Sequence, residues 1–392
     1  MRVGVEASCW TQRRGYGRQL RGLLGAALEL DRRRRYLFFV DSEEAAAQTP
    51  SGGEVVRIRA SRPAARAARS DGRRSLADLW AASRALACGD LDCLLFPTVY
   101  TYVPVLSRAS KIVMIHDLIP EKFPERVFPT AAGRRYWQWK SFLARRQADR
   151  ILTVSEFSRR GILEHFGERP ERVQVVGEAA DPVFRVLQNP VLPEGLRRQG
   201  IRPQDRLLVF VGGFSPHKNL LGLLDAFAAL AGAGDLRLIL VGDYQLDAFY
   251  SCHEQVRRRI GEPPLAGRVI LTGYLSDPEL VALLNVATAL VLPSFLEGFG
   301  LPAVEAAACG LPVVATSASP LAELLGDGAL FINPGDPPAL RAALERILSD
   351  EALRRRLREQ GLRAAAALSW SRAARQLLDV LDQLAPDHAQ AA

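Results

Sequence analysis

Residues 289–316 read "ALVLPSFLEGFGLPAVEAAACGLPVVAT" and contain two short apolar runs on either side of an alanine-rich segment. The runs "ALVLPS" and "LPVVAT" have the length and apolar character of buried strands, and the segment between them has the composition of a helix. Pro302 suits the first turn of that helix, because the N–H that proline lacks has no partner there. Strands that are apolar along their whole length, with a helix between them, predict parallel strands covered on both faces.

The same alternation of apolar runs and helical segments continues through both halves of the chain. Strands are predicted in the first half at "RVGVEA", "YLFFVD", "CLLFPT", "KIVMIHD", "RILTVS" and "RVQVVG", and in the second half at "RLLVFVGG", "LRLILVGD", "RVILTGY", "ALVLPS" and "LPVVAT". The fold class is therefore α/β, with two doubly wound, Rossmann-like domains that face a central cleft. Ligands bind beyond the carboxyl ends of such strands, so residues directly after strands are the candidates for a site.

A stretch rich in proline and glycine, residues 185–206, separates the two halves and precedes a new strand. We predict an N-terminal domain over residues 1–188 and a C-terminal domain over residues 189–368. Helical sequence continues over residues 341–361. Over residues 369–392 we expect a C-terminal helix that packs back on the N-terminal domain and ends in a frayed tail.

The composition is that of a soluble globular protein, since 48% of the 392 residues are hydrophobic and 24% are charged. No apolar run reaches the roughly 20 residues that span a bilayer. The opening "MRVGVEASCW" is predicted as a first strand rather than a signal peptide. Five cysteines without regular spacing indicate a reducing compartment and no zinc-type cluster. A cytoplasmic protein is therefore expected.

Arginine dominates the positive charge of the chain. The net charge is +8, and all but four of the 51 basic residues are arginine. Arginines cluster in residues 32–35 and again in residues 57–84. A basic face of this kind attracts phosphates, anionic lipid or nucleic acid. Two interpretations stay open: a solvated face that reflects compositional bias, or a surface that binds an anionic membrane. Nucleic acid is not an expected partner.

Two glutamates flank the turn in the quoted stretch, and their positions suggest one pocket. Glu297 lies in the loop after the first strand and Glu305 about one turn inside the helix, so the two carboxylates reach that pocket at different depths. The backbone N–H groups of Phe299, Gly300 and Leu301 lie at the helix start, where they suit phosphate oxygens. Carboxylates repel phosphate and would bind neutral hydroxyls instead. Hydroxyls beside a diphosphate describe a nucleotide sugar.

Other small or polar residues follow predicted strands elsewhere in the chain. Lys218 in "FVGGFSPHKNL" precedes a helix, where a compact ammonium suits a diphosphate. His116 ends "KIVMIHD" and is expected to face a ligand from the end of a strand. Gly15 and Gly17 permit close backbone approach, although Leu20 occupies the third glycine position of the dinucleotide-binding fingerprint. The structural alternatives are a surface lysine, a core or capping histidine and a plain turn.

These motifs, in this order, resemble the retaining glycosyltransferases of the group-4 class, often labelled group 1, which have the GT-B fold. "EGFGLPAVEAAACGLPVVAT" is similar to the E-x7-E motif of that family with its helix and following strand. The segments "RRGYGRQL", "HDLIPEKFP", "ILTVSEFSR", "VGGFSPHKNL", "LTGYLSDPELVALL" and "LSWSRAARQLLDVL" extend the resemblance over nearly the whole chain. The resemblance is specific for the fold and the superfamily and much less specific for the substrate.

The resemblance implies a role for each matched position. His116 and Glu297 would be the catalytic residues, with His116 near the reaction centre and Glu297 on the sugar hydroxyls. The implied donor-binding residues are Gly15, Gly17, Lys218, Leu275, Phe299, Gly300, Leu301 and Glu305. Within that set, Leu275 would lie near the base and Glu305 would bind the ribose hydroxyls. The N-terminal domain would hold the acceptor and the C-terminal domain the nucleotide sugar.

One departure from the family pattern concerns the charge at the diphosphate. Many relatives carry an arginine five residues before the lysine, and that position is Gly213 here. Either Arg206, His217 or another domain supplies the charge, or the phosphates of the donor are bound more weakly.

The function that the resemblance implies is transfer of a hexose-type sugar, such as mannose or glucose, from a nucleotide-diphosphate sugar to a hydroxyl. The expected reaction retains the anomeric configuration and needs neither a metal nor a cofactor. The acceptor stays open between a lipid-linked or polysaccharide precursor, which would bring the protein to the inner face of the membrane, and a small molecule. The alternatives are a nucleotide-sugar epimerase, a phosphorylase, or a non-catalytic protein that binds anionic surfaces.

Overall fold

The structure is a computed structural model, and it describes residues 1–13, 15–61, 64, 75–230, 234–243 and 250–385. The predicted frayed tail, residues 386–392, and most of the arginine cluster in residues 57–84 lie outside the described residues. Within the described part, no helix has both the length and the apolar character required to cross a bilayer.

Strands and helices alternate along the chain. The strands are β1 (Arg2–Glu6), β2 (Arg35–Val40), β3 (Gly53–Arg57), β4 (Cys93–Phe96), β5 (Ser110–Met114), β6 (Arg150–Thr153), β7 (Val173–Val175), β8 (Arg206–Val211), β9 (Leu236–Val241), β10 (Val269–Gly273), β11 (Ala289–Leu292), β12 (Val313–Thr316) and β13 (Ala329–Ile332). The helices are α1 (Gly15–Leu30), α2 (Glu43–Gln48), α3 (Leu76–Ala87), α4 (Ile119–Lys122), α5 (Pro124–Val127), α6 (Ala131–Gln147), α7 (Glu156–Phe166), α8 (Glu194–Arg198), α9 (Leu220–Ala228), α10 (His253–Ile260), α11 (Asp277–Val286), α12 (Leu301–Ala308), α13 (Leu321–Leu325), α14 (Pro337–Ser349), α15 (Glu351–Ala366) and α16 (Trp370–Gln383). Short 3₁₀ turns cover Pro170–Arg172, Pro216–Lys218 and Gly326–Gly328.

The chain forms two compact units. The first contains Met1–Leu118, Phe128–Glu178 and Ser369–Ala392, and the second contains Ile119–Val127 and Ala179–Leu368.

The first unit is built on a seven-stranded sheet in the order β3-β2-β1-β4-β5-β6-β7. All six strand pairs of this sheet are parallel. The central strand β4 is buried at every residue, whereas the edge strand β3 is mostly exposed. The exposure of β3 explains why its sequence "GEVVR" lacks the apolar run that marks the other strands. Our sequence interpretation did not include it.

The second unit is built on a six-stranded sheet in the order β10-β9-β8-β11-β12-β13, and all five of its strand pairs are parallel. Both β11 and β12, the strands of the quoted stretch, are fully buried. The edge strand β13 is the other strand that the sequence interpretation missed. Two doubly wound parallel sheets confirm the predicted fold class.

The unit boundaries differ from the predicted division at residue 188 in two places. The second unit begins at Ala179, because the segment after it is bonded to α11: the Leu187 N–H donates to the Asn285 side chain at 2.8 Å, and Asn285 donates to the Arg185 carbonyl at 2.9 Å. The second unit also takes in residues 119–127, since α5 packs against the 3₁₀ turn Pro216–Lys218.

The C-terminal helix α16 belongs to the first unit and packs on α1. Gly22 of α1 lies so close to the Trp370 ring that an added Cβ would stand 2.4 Å from it. Gln376 accepts a hydrogen bond from the Gly177 N–H at 3.1 Å, which ties α16 to the end of the sheet.

Polar caps divide the helical sequence into separate helices. Residues 341–361, which were predicted to be helical, span parts of α14 and α15. Asp350 ends the first helix, and its side chain accepts from the Leu353 N–H at 2.8 Å. Ser155 caps α7 in the same way, with a bond from the Ser158 N–H at 3.1 Å.

Candidate active site

The loops that follow β8 and β11 meet at the carboxyl edge of the second sheet. These two strands are neighbours, and the chain leaves β8 toward β9 on one side and β11 toward β12 on the other. Such a reversal of strand order opens a crevice between the loops, which is where doubly wound sheets bind ligands. Lys218 follows β8 and Glu297 follows β11, so both predicted residues lie at this point.

Backbone bonds hold the two loops against each other. The Phe295 N–H donates to the His217 carbonyl at 2.8 Å. The Asn219 side chain donates to the Pro293 carbonyl at 3.1 Å, from a residue with φ of +55° that ends the 3₁₀ turn and begins α9. Asparagine is one of the few side chains that adopt this left-handed conformation readily. The two loops therefore form one connected unit around Lys218.

Lys218 and Glu297 form a largely buried ion pair. The Lys218 Nζ lies 2.7 Å from Oε1 of Glu297, and the two side chains are 18% and 8% exposed. The Ser294 hydroxyl donates to the same carboxylate oxygen at 2.5 Å, and the Glu297 N–H donates to the Ala318 carbonyl at 3.1 Å. Glu297 is thus fixed by the loops after β8, β11 and β12. The ammonium keeps further N–H donors for a ligand.

The start of α12 presents backbone N–H groups beside this pair. Gly300 precedes the helix with φ of +85°, a conformation that favours glycine, and an added Cβ would stand 2.8 Å from the Leu321 side chain. In the described part of the chain, no group accepts a hydrogen bond from the N–H of Phe299, Gly300 or Leu301. The partial positive charge of the helix start adds to these donors, so this turn suits an anion.

Glu305 lies one turn into α12 and is buried, at 3% exposure. Burial, with the nearby Glu305 carboxylate as the next contribution, raises the pKa of the Cys309 thiol to about 12. That thiol is therefore neutral at physiological pH. Leu275 follows β10, at the same edge of the sheet, and is half-buried.

In the first unit, the loop after β1 leads directly into α1. An added Cβ on Gly17 would stand 2.1 Å from the Gln12 carbonyl oxygen, so the loop requires glycine there. The Arg21 guanidinium donates to the carbonyls of Trp10 and Gln12 at 2.5 and 2.9 Å, which fixes the path of this loop. An added Cβ on Gly15 would meet nothing within 4 Å, so glycine is not required there in this way.

His116 follows β5 and is half-buried, with its Nε2 atom shielded from solvent. No hydrogen-bond partner for that atom occurs in the described residues. Burial lowers the pKa of His116 to about 4, so the imidazole is neutral at pH 7. A neutral ring whose Nε2 has no protein partner is able to form a hydrogen bond with a ligand there, but the ring carries no positive charge.

The other three lysines of the chain differ from Lys218 in their contacts. Lys111 donates to the Ser107 and Ala109 carbonyls, and Lys140 donates to the Tyr100 carbonyl, so both support the first unit. Lys122 is exposed.

The structure excludes one of the candidates for the cation that would replace the arginine missing at Gly213. Arg206 begins β8, at the amino edge of the sheet, and binds Asp235 with bonds of 2.9 and 3.1 Å. It therefore lies at the wrong end of the strand to replace a cation near Lys218. Ser294 and Asn219 are contributors that the sequence interpretation missed. Each is adjacent or nearly adjacent to a motif residue, which is the only sequence signal they carry.

A cavity of about 340 Å³ opens at the amino edge of the second sheet. Its arginines already bind protein groups: Arg354 donates to the Ile347 carbonyl and Arg358 to the Gly310 carbonyl, both at 2.8 Å. This cavity is therefore not the candidate site. Among the described residues, no group of three or more histidine, cysteine or carboxylate side chains is placed to hold a metal ion.

Two family models match this chain in sequence. The model described as "Glycosyl transferases group 1" matches residues 194–364, and the model described as "Glycosyltransferase Family 4" matches residues 27–183. The first match includes Lys218 and the stretch from Glu297 to Glu305, and the second includes His116.

Two curated relatives are mannosyltransferases. The serotype-specific mannosyltransferase WbdA of Escherichia coli is 28% identical over 281 residues, which is 70% of this chain and 33% of that protein. The MMP alpha-(1->4)-mannosyltransferase of Mycolicibacterium hassiacum is 34% identical over 267 residues, which is 64% of this chain and 61% of that protein. The matched region thus spans about a third of the first relative and about three fifths of the second.

Among solved structures, HepE of Anabaena in complex with UDP-glucose superimposes with a TM-score of 0.74 at 18% identity. The match covers 97% of this chain and 99% of that chain. At this identity the likeness shows the fold alone.

Proposed function

We propose a glycosyl-transfer reaction for this chain, which belongs to the group-1 glycosyltransferases of family 4 and has the GT-B fold. A glycosyltransferase of this family uses a nucleotide sugar as donor. The observation that carries the proposal is the Lys218–Glu297 ion pair, at 2.7 Å, beside the open N–H groups that begin α12. A cation and helix-start amides suit a diphosphate, and a fixed carboxylate suits the hydroxyls of a sugar.

In the proposed complex, Lys218 and the N–H groups of Phe299, Gly300 and Leu301 bind the donor diphosphate. Glu297 binds the sugar hydroxyls. These roles are supported by charge, because an anionic diphosphate belongs with the cation and the helix start.

Further donor contacts are proposed for Glu305, Leu275, Gly15, Gly17 and His116. Glu305 binds the ribose and Leu275 lies at the base. In the first unit, Gly15 and Gly17 lie against the donor phosphates or the acceptor, and His116 contacts the transferred sugar with a neutral imidazole.

Mannose is the proposed sugar and a cell-envelope polysaccharide or its lipid-linked precursor the proposed acceptor. The curated relatives support both choices, because WbdA is a serotype-specific mannosyltransferase and another relative, from Escherichia coli, is an O-antigen chain mannosyltransferase.

The proposed mechanism retains the anomeric configuration. The bond between C1 of the sugar and the diphosphate oxygen breaks, and C1 bonds to the acceptor oxygen on the same face. The departing diphosphate oxygen takes the proton of the acceptor hydroxyl, so no protein base is required. Lys218 and the start of α12 stabilise the negative charge that develops on the diphosphate, without a metal.

A covalent intermediate on Glu297 is a weaker alternative. Oxygen Oε1 of this carboxylate accepts bonds from both Lys218 and Ser294, at 2.7 and 2.5 Å. Two donors on one oxygen stabilise the anion and lower its nucleophilicity. The arrangement favours hydrogen bonding over attack.

Contact with an anionic membrane is proposed for the exposed face of α6. Tyr136, Trp139 and Phe142 are 48%, 56% and 51% exposed and lie three residues apart, on the same side of the helix. Arg135 and Arg146 are exposed on the same helix. Aromatic rings flanked by arginines are typical of helices that bind the surface of an anionic bilayer. The proposed location is the cytoplasm, at the inner face of the membrane.

The stereochemistry of donor hydrolysis tests the mechanism. The protein is incubated with GDP-α-mannose and with UDP-α-glucose in the absence of acceptor, with and without a chelator, and the first sugar released is followed by proton NMR. Retention predicts the α anomer as the first product, at the same rate in the chelator. Release of the β anomer would contradict retention, and loss of rate in the chelator would contradict the metal-free mechanism.

A further inference from the structure

We infer that Arg126 provides the second cation for the donor diphosphate, an inference that rests on the proposed function. Arg126 lies in α5, part of the segment 119–127 that belongs to the second unit. The motifs that pointed to Lys218 and Glu297 do not include it.

The charge of Lys218 alone is not enough for a diphosphate. Its ammonium lies 2.7 Å from the Glu297 carboxylate, so the pair as a whole is close to neutral. The diphosphate of a nucleotide sugar carries about two negative charges. Arg206, another arginine of the second unit, is bound to Asp235 at the opposite edge of the sheet, and position 213 is glycine.

The side chain of Arg126 packs against the loop that carries Glu297. Its guanidinium carbon is 3.5 Å from the centre of the Phe295 ring, and α5 packs against the 3₁₀ turn Pro216–Lys218. Phe295 in turn donates its N–H to the carbonyl of His217, the residue before Lys218. A single residue therefore links the guanidinium to the turn that carries the ammonium.

The geometry of the stack leaves the guanidinium able to bind phosphate. A guanidinium that lies over a ring uses its face for the ring, while its N–H groups point outward in its own plane. The Arg126 side chain is 32% exposed. Its Nε lies 3.7 Å from the carboxylate of Glu125, which is 67% exposed. The planar fork matches two phosphate oxygens.

Phe123 completes the support of this arginine. Its ring centre lies 6.1 Å from that of Phe295, and the Arg126 guanidinium is 5.5 Å from it. Two rings from different segments thus limit the positions of one cation. A guanidinium that is fixed before the ligand arrives loses less entropy on binding.

The test compares diphosphate with monophosphate ligands. Dissociation constants of UDP, GDP, UMP and GMP are measured by calorimetry for the wild type, Arg126→Gln, Arg126→Lys and Lys122→Gln. Lys122 is exposed and lies in the same segment, so its variant controls for a simple loss of charge. Arg126→Gln is expected to weaken the diphosphate that the wild type binds by about 10-fold, as for a charged hydrogen bond. Arg126→Lys is expected to lose less affinity for the diphosphate than Arg126→Gln does. Lys122→Gln should change that affinity less than about twofold.

Several results overturn the inference while leaving the proposed function in place. One is equal affinity of wild type and Arg126→Gln for the diphosphate. Another is an equal loss for monophosphate and diphosphate, which would give Arg126 a purely structural role, and a third is an equal loss in Lys122→Gln. If Arg126→Gln does not fold, as judged by thermal unfolding, the diphosphate affinity of Arg126→Lys is compared with that of the wild type. Equal affinities then overturn the inference. If the wild type binds neither UDP nor GDP, the proposed donor itself is wrong.

Discussion

Lys218 and Glu297 are 79 residues apart in sequence and 2.7 Å apart in the structure. Each could be selected from sequence, the lysine by its place before a helix and the glutamate by its place after a strand. Their contact could not, because it depends on β8 and β11 being neighbours in the sheet. Sequence patterns report which strand a residue follows, but strand order is a property of the whole sheet.

Removing either partner of this pair is expected to abolish most turnover. Lys218→Ala and Glu297→Ala should each lower kcat/KM for the nucleotide sugar by about 100-fold, since each removes a contact to charge or hydroxyls at the reacting sugar. Circular dichroism checks that each variant is folded. Lys122→Ala, at an exposed lysine, is the matched control and should keep its activity. Near-normal turnover in a folded Lys218 or Glu297 variant would contradict the assigned roles.

The buried His116 is expected to make stability depend on pH. Its pKa is about 4 in the folded state and roughly 6.5 when unfolded. The unfolded chain therefore binds the proton first, so stability is complete above pH 6.5 and is lost as the pH falls toward 4. The expected slope is at most ~1.4 kcal/mol per pH unit in this window.

Urea denaturation at pH 5 and pH 7.5 measures this effect in the wild type and in His116→Gln. The variant should lose less stability at pH 5 than the wild type does. Equal losses in both proteins would show that His116 is not the group responsible.

At the scale of elements, the turn into α12 depends on a glycine. Gly300→Ala requires φ of +85° for alanine and brings a Cβ to within 2.8 Å of the Leu321 side chain. The expected loss is ~1–3 kcal/mol of unfolding free energy, with weaker nucleotide-sugar binding, because the N–H groups at the helix start move.

Gly25→Ala is the matched control for that variant. Gly25 lies within α1, and an added Cβ there meets nothing within 4 Å. It should stabilise the protein by about 0.5–1 kcal/mol, as alanine does in a helix interior. Chemical denaturation measures both variants, and equal stability of Gly300→Ala and wild type would show that the turn tolerates a side chain.

The membrane contact proposed for the exposed face of α6 is tested by vesicle binding. The wild type should sediment with vesicles rich in phosphatidylglycerol at low salt and far less with phosphatidylcholine vesicles. The triple variant Tyr136→Ser, Trp139→Ser, Phe142→Ser should lose most of that binding, because it removes the rings that enter the interface. Wild-type protein that stays in the supernatant with anionic vesicles at low salt would exclude this surface as a membrane contact.

Most elements could be predicted from sequence, and burial explains most of the strands that were identified. Most of the strands that were identified are buried along their length and therefore read as apolar runs. The edge strands β7 and β10 are only partly buried and were identified from their apolar residues. The missed strands β3 and β13 are sheet edges, and the pattern of β3 is mostly exposed. The helical sequence predicted over residues 341–361 forms parts of two helices, which meet at the polar cap Asp350.

At the scale of the whole molecule, the fold class and the family follow from the order of the motifs. Which segments of the chain belong to which unit does not follow from that order. Residues 119–127 lie in sequence between segments of the first unit and belong by contact to the second. No change in amino-acid composition marks residues 119–127 as part of the second unit. Their place in that unit depends on packing, such as the stack of Arg126 on Phe295.

The central claim is that the second unit binds a nucleotide sugar through its diphosphate, with Lys218 as a required cation. Thermal unfolding of wild type and Lys218→Ala against a panel of nucleotide sugars, including GDP-mannose and UDP-glucose, tests it most directly. At a concentration about 100 times its Kd, a true donor stabilises the folded state by roughly 2.7 kcal/mol. We predict that at least one nucleotide sugar raises the melting temperature of the wild type and that Lys218→Ala loses most of the shift. No shift with any member of the panel, or the same shift in both proteins, would contradict the claim.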